Sequence, residues 1–503
     1  MIKARHFYKS SIDKRLGTFD AGSAVPKTVS FGMVSSVVLS SLLGATGAIA
    51  AEVDTAVMAV KPVVVAQPEL KKPSDVRSFP AVSSAEMLLV VPAVLPVKAI
   101  AQVPGEKPER LPTPENPGEP KPATVSPIKP SKPVSVGDRG QFSVNLESYY
   151  YNWHDQLGNR GNQVVAPLTV TYSKGNFDLG LRSAYIKSQF DGNLILDGVV
   201  IGKRKGEVST WSDTSLSLAY TLKQSKFPIR FNLDLNLPTG KATLVGDEKN
   251  AIMDGALVQQ TRFGEGFNVA PGISISHAFT PNDVVGVGIS RIFRGKFDPN
   301  GDVVNDVIDP GDETVATLQY QHSGKNWLAM GGLIYTNYGT TKRGDQDYYR
   351  SGDRLDVNGT LVFSPFQGNR VQLSGRYFTQ TPNTVVNFFT GSLQKESANS
   401  NGSALYLSGD WGIATDRQQR GMFHVLLDYL NVNANSYDPV NDLFNAGRSK
   451  FSVGIGYDYA FSKNTRASIQ AKYFQLVDKA TPVTQQDVRS NGINLYGTLN
   501  YSF

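Results

Sequence analysis

The chain has no cysteine. No disulfide frame, thiol nucleophile or cysteine-based metal site can therefore form, and no N-terminal cysteine is available to carry a lipid. Histidine is almost as scarce, with His6, His154, His277, His322 and His424 making up the full set. A hydrolytic site needs nucleophile, base and orienting group together. His424 could share a face with Asp428, but no serine is placed with them, so the reading is not an enzyme, with no cofactor and no metal. No uninterrupted apolar run reaches the 18 or so residues of a membrane helix. Nor is there a self-similar repeat of the length that builds a soluble propeller.

Net charge is nearly absent from most of the chain too. The formal net charge is +6. Residues 1–140 hold 17 Lys/Arg against 12 Asp/Glu, which leaves 33 against 32 in residues 141–503. The body is close to neutral, and no clustered basic face supports nucleic-acid binding.

What is present begins with a basic stretch, Met1 to Lys27, followed by the apolar run Phe31–Leu43 and an Ala48-Ile49-Ala50 cleavage pattern. Residues 1–50 read as a secretory signal peptide. Residues 51–140 read as a disordered, Pro/Val/Lys-rich periplasmic linker. Ten of the 28 prolines fall between Pro104 and Pro133, mixed with Lys and Glu. Such sequence favours extended polyproline II and cannot bury a core. At about 3.1 Å per residue the Pro-rich part could span on the order of 90 Å, enough to reach peptidoglycan or another periplasmic partner. A plain linker with no partner fits the composition equally.

From Gln141 the chain becomes a series of alternating segments. The last, Ile493–Phe503, shows the grammar: Ile493, Leu495, Leu499, Tyr501 and Phe503 share one face, and Asn494, Tyr496, Thr498, Asn500 and Ser502 the other. A period of two means β-structure. About 16 such segments follow one another, joined alternately by short turns of roughly three to seven residues and long loops of roughly 11 to 27. The first two long loops are Asn152–Asn162 and the stretch up to about Val208, and a later one is Asn431–Ser449. Aromatic residues close the apolar face at both ends. Tyr172, Tyr220, Phe279, Tyr320, Phe363, Trp411, Phe461 and Phe503 mark one end, and Tyr150, Tyr185, Phe293, Tyr335, Tyr377, Tyr429 and Tyr473 the other. Two-ended loop asymmetry with paired aromatic girdles is expected of a barrel that turns its apolar face to lipid. The fold class is all-β: a transmembrane antiparallel barrel of about 16 strands over residues 141–503, the first strand closing on the last.

Over that span the chain resembles the bacterial outer-membrane porin-type barrels. Leu235-Asn-Leu-Pro-Thr-Gly240 and Pro271-Gly-Ile-Ser-Ile-Ser276 further resemble a signature of putative outer-membrane channels associated with phenol meta-cleavage pathways, although Lys241 stands where that signature has an acid. The resemblance implies location in the outer membrane of a Gram-negative-type bacterium, with lipid around the wall and the N-terminal segment in the periplasm. A terminal Phe503 also resembles the signal that barrel-assembly machinery reads. In sixteen-stranded porins the third long loop folds inward and narrows the channel. Here that loop is Pro238–Gly266, with Lys241, Asp247, Glu248, Lys249, Asp254 and Arg262 as constriction candidates.

Alternation puts Glu147, Asp178, Arg182, Arg230, Asp234, Asp356, Arg370, Arg376, Asp410, Asp428, Asp458, Arg466 and Lys472 on the polar face, as pore-lining candidates. Neither sign dominates. A second acidic stretch, Asp298, Asn300 and Asp302, offers hard oxygen ligands, but its glycine is misplaced for a calcium loop and a solvated loop is expected. The functional expectation is a porin or channel for passive transport of small hydrophilic or amphipathic solutes. The alternatives are an export barrel, for example for polysaccharide secretion, and a structural or adhesive surface protein.

Overall fold

The computed structural model describes residues 140–503, apart from 197–198, 224–226, 305, 388–389, 417, 440, 442 and 482–485. The signal-peptide and linker readings lie outside the described residues.

Sixteen antiparallel strands form one ring. In chain order they are β1 (Gln141–Asp155), β2 (Arg160–Lys174), β3 (Phe177–Leu196), β4 (Val199–Trp211, resuming as Thr214–Leu222), β5 (Ile229–Leu237), β6 (Asn268–Ala278), β7 (Asp283–Arg294) and β8 (Glu313–Ser323). Then come β9 (Trp327–Tyr338), β10 (Arg354–Phe363), β11 (Asn369–Gln380), β12 (Ala404–Ala414), β13 (Gly421–Val432), β14 (Arg448–Ser462), β15 (Thr465–Asp478) and β16 (Val488–Ser502). The two segments of β4 count as one strand because both pair with β3, at Tyr185 opposite Trp211 and at Arg182 opposite Ser215. The ring closes between β1 and β16, in register from Ser143 opposite Ser502 to Asp155 opposite Ser490.

Alternation sorts the side chains into two faces. One carries the exposed large apolar residues, among them Leu146, Leu181, Ile289, Leu333, Leu373, Ile455, Ile469 and Leu499. The aromatic residues expected at the strand ends share it: Tyr185, Phe293, Tyr335 and Tyr473 toward one rim, Tyr220, Tyr320, Trp411 and Phe503 toward the other, all exposed. The opposite face holds the polar and charged positions and most of the buried side chains.

Short turns gather at the rim that also holds both ends of the barrel. Gly175–Asn176 joins β2 to β3 in two residues, and Gly175 takes φ 60°, a conformation that favours glycine. At the other rim the expected alternation of loop length fails twice. The segments expected as the first two long loops, Asn152–Asn162 and the stretch up to Val208, are largely strand, because β1–β2 and β3–β4 run on as tall hairpins. The physical reason is pairing: Tyr150 to His154 continue the ladder opposite Val164 to Arg160, so extending the hairpin satisfies backbone groups that a loop would leave to water. Three of the remaining loops contribute strands of a small second sheet at this rim, Ile308–Asp309, Thr341–Arg343, Gln346–Arg350, Thr384–Val386 and Leu393–Lys395.

Phe503 finishes the closure. Its N–H donates to Phe142 O at 2.9 Å, its carbonyl accepts from Phe142 N at 3.0 Å, and the two rings stack at 4.9 Å. Deleting Phe503 is expected to lower the amount of assembled barrel, read as the heat-modifiable band on cold gels, while the barrels that do assemble behave as wild type. Normal assembly after the deletion would refute this role.

Candidate functional site

The connection from β5 to β6 does not stay at the rim. It crosses the bore. In a ring of sixteen, β5 and β13 stand diametrically opposite, and the tip of this connection is held on the far side: Asp254 pairs with Arg448 at the start of β14, and Ala256 O accepts from Lys450. Arg448 also reaches Asp478 on β15 at 2.8 Å. We call the segment Pro238–Phe267 the strap. The architecture is porin-type.

The strap is seated by packing as well as by charge. Leu244, Ala251 and Phe263 join Val165, Ala184, Ile186 and Val208 of β2–β4 in one buried cluster. Met253, Ala256, Leu257 and Val258 join Trp153, Phe378, Ala404, Leu430, Val432, Phe474 and Leu476 in a second. Burying aliphatic side chains of this size contributes about 1.5–3 kcal/mol each. Two glycines make the room. A Cβ on Gly206 would lie 2.3 Å from Ala251 N, and one on Gly161 would lie 2.3 Å from Met253 Sδ. Between these clusters the wall bonds the strap's backbone: Gln163 Nε2 donates to Gln260 O at 2.6 Å and Gln163 Oε1 accepts from Gln260 N at 2.8 Å. Ser188 Oγ donates to Ala251 O at 2.8 Å, beside the short 3-10 turn Gly246–Ala251.

The base is held at one residue. The break in β4 exposes Asp213, whose carboxylate accepts from Gly240 N at 2.8 Å, from Glu265 N at 2.7 Å and from Asn236 Nδ2 at 2.8 Å. Both legs of the strap are thus tied to the same side chain. Glu265 in turn sits between Arg262 at 2.8 Å and Arg294 at 2.7 Å, and Arg294 bridges to Glu313 at 2.7 Å. Burial pushes the Glu265 carboxyl up, but the two guanidiniums outweigh it and hold the group below the usual glutamate range.

Five of the six charged strap candidates serve to fix the strap. Lys241 pairs with Glu248. Lys249 binds Asp302 at 2.6 Å and also donates to Asn300, so those two members of the acidic stretch act as partners of the strap. Asp254 and Arg262 are accounted for above. Asp247 is exposed and lies beside Arg160, Lys205 and Glu207 in a recess of about 700 Å³.

The thirteen candidates on the wall lie on the face opposite the exposed apolar side chains. Most are drawn into pairs. Arg230 donates to Asp178 at 2.7 Å, Lys472 to Asp428 at 2.6 Å, and Asp356 lies between Arg376 at 2.7 Å and Arg354 at 3.0 Å. Glu147 accepts from Asn145 at 2.6 Å and Tyr149 at 2.8 Å, with Arg182 at 3.9 Å. His424 bonds Asp410 at 2.7 Å and lies 3.5 Å from Asp458; the expected neighbour Asp428 is occupied by Lys472 and by Tyr406 at 3.0 Å. Asp234 accepts from Asn232 at 3.3 Å, and Arg370 donates to Gln372 at 3.2 Å. Arg466 feels the charge of Asp458 and makes no ion pair among the described residues. On β6–β10 the same face, toward the short-turn rim, carries no ionisable group: Ser274, Ser276, Gly288, Thr317, Gln319, Gln321, Gly332, Asn358 and Thr360 stand there.

The seat and the anchors of the strap were not among the residues the sequence singled out. Arg448 fell in an expected loop, and Gln163, Gly161 and Gly206 carry no motif. Only their parity, once the tall hairpins are recognised, marks them as facing the bore.

No protein family and no curated protein matches the sequence. Among solved structures, the chain is similar to the CymD monoaromatic hydrocarbon channel, at 12% identity and a TM-score of 0.34, covering 72% of this chain and 88% of that one. It is similar to the Pseudomonas putida toluene transporter TodX at 10% identity and 0.34, covering 73% and 90%. It is similar to Pseudomonas putida OprB at 8% identity and 0.37, covering 72% and 93%. Scores this low carry no weight for solute, and the functional reading rests on the geometry above.

Two outcomes test the strap's fixings. Asp213→Ala leaves two backbone N–H groups unpaired at about 1–3 kcal/mol each. It is expected to loosen the base and add current fluctuations in single-channel recordings; quiet wild-type traces would count against it. For Glu265 the folded carboxyl titrates lower than the unfolded one, so its contribution is complete above about pH 4.3 and is lost only as pH falls through the lower folded value. Conductance is expected to stay flat from about pH 8 to pH 5 and to rise only in stronger acid. Glu265→Gln should remove that acid step.

Proposed function

We propose that the protein is an outer-membrane channel for passive movement of small hydrophilic or amphipathic solutes, narrowed by the strap. The observation that carries this reading is the strap held across the bore of a closed barrel. The barrel's exterior is an apolar band bounded by aromatic rings, which suits lipid, and between those rings the ring of strands is closed, as a bilayer requires. The interior face is polar, and its charges are largely compensated, which suits a water-filled path without strong ion preference. Both barrel ends lie at the short-turn rim, which this reading places in the periplasm together with the N-terminal segment, its possible contact with peptidoglycan, and the assembly signal at Phe503.

The purified full chain in a planar bilayer should show a steady open conductance, and deleting Ala242–Val258 should raise it. No change in conductance on deletion would remove the strap from the path. Silence that is relieved only by deleting residues 51–135 or by adding a periplasmic partner would favour an export barrel instead. Silence with retained adhesion to cells or surfaces would favour an adhesive role.

A further inference from the structure

Beneath the strap, on the inward face of β16 and β1, three tyrosines form a continuous aromatic surface. Tyr149 and Tyr151 lie nearly parallel, with centroids 6.4 Å apart and an interplanar angle of 9°. Tyr149 and Tyr496 approach to 4.7 Å. The row starts at the strap itself, since Tyr151 Oη donates to Gln259 Oε1 at 3.4 Å. Each ring is only partly buried.

The rings are held in place from behind. Tyr149 Oη donates to Glu147, Asn145 donates to the other oxygen of the same carboxylate, and Thr498 donates to Asn145 Oδ1 at 2.9 Å. Glu147 is itself buried and has its acceptors occupied, so it positions the ring and does not contact solute. Tyr149 and Tyr151 also pack against the two clusters that seat the strap, so the flat apolar surface, edged by hydroxyls, runs from the strap's seat to Tyr496.

Across the ring, β8 and β9 face β16 and β1. Their inward positions near mid-strand are Thr317, Gln319 and Gln321 on β8 and Met330, Gly332 and Ile334 on β9, with Gln319 opposite the bare Gly332 and Gln321 opposite Met330. No ionisable group stands on that flank, as described above. The path beneath the strap therefore has an aromatic side and an uncharged side carrying amides, with Arg466 on β15 the nearby charge that makes no ion pair among the described residues.

We infer that this is a binding site for small uncharged polyols, sugars among them. A pyranose ring has an apolar face of C–H groups that packs on an aromatic ring and a rim of hydroxyls that bond amides and hydroxyls. A flat aromatic solute would use the tyrosine side but gain nothing from the amides of the other wall, which a polyol's hydroxyls can bond. A cationic solute would find no free carboxylate on that wall, and gluconate in the test below measures what Arg466 offers an anion. The inference rests on the channel reading above and names its substrate class.

The test is block of ion current by maltotriose in planar bilayers, with gluconate and phenol as comparison solutes. Maltotriose is expected to block the full-length protein. Tyr496→Ala is expected to weaken that block by about tenfold, and Tyr496→Phe to retain most of it. Cold-gel mobility confirms that both variants assemble. Steady current with no maltotriose block, equal block in Tyr496→Ala and wild type, or stronger block by phenol or gluconate would each overturn the inference while leaving the channel standing. Absence of any ion current in the wild type would overturn the channel reading, and the inference with it.

Discussion

The structure depends on one ladder, the pairing of β1 with β16. Every other pair of ring strands is made between neighbours in sequence, joined by a turn or loop. This one brings together residues more than 300 positions apart and joins the ring's first strand to its last. Until it forms, no interior exists for the strap to cross and no exterior is fully committed to an apolar surroundings. The stacking of Phe142 on Phe503 sits at the foot of that ladder, where two chain ends with no turn between them would otherwise fray.

The barrel was legible in the sequence because a period of two is a local signal. Each strand announces its two faces by itself, and aromatic residues announce where it leaves the apolar layer. Ile493–Phe503 could be read in isolation and then matched to fifteen others. The parity of Glu147, Asp178 or Lys472 followed from the same rule. Partners did not: His424 could be placed on its face, but the choice between Asp410 and Asp428 depends on inter-strand register and on Lys472 reaching Asp428 from two strands away. Loop length misled at β1–β4, since a tall hairpin and a long loop use similar polar residues.

The strap was legible as a long third loop and not as an object with a seat. Its fixings are long-range by nature. Gln163 and Gln260 are 97 positions apart, and Asp254 and Arg448 are 194 apart. The wall's adaptation to it is equally silent, because Gly206 and Gly161 matter only through what stands against them. The charges named as constriction candidates in the strap mostly hold it in position.

The interruption of β4 at Ser212–Asp213 has a mechanical meaning. It spends one irregularity in a strand to bring a carboxylate to the point where the strap both leaves and rejoins the wall. A beam built in at one end and propped at the other is a propped cantilever. The built-in end here is Asp213, the prop is the ion pair of Asp254 with Arg448, and the two buried clusters with Gln163 and Ser188 bear the span between them. Losing the prop alone would therefore leave the strap carried along its length, and every point of support belongs to the barrel itself.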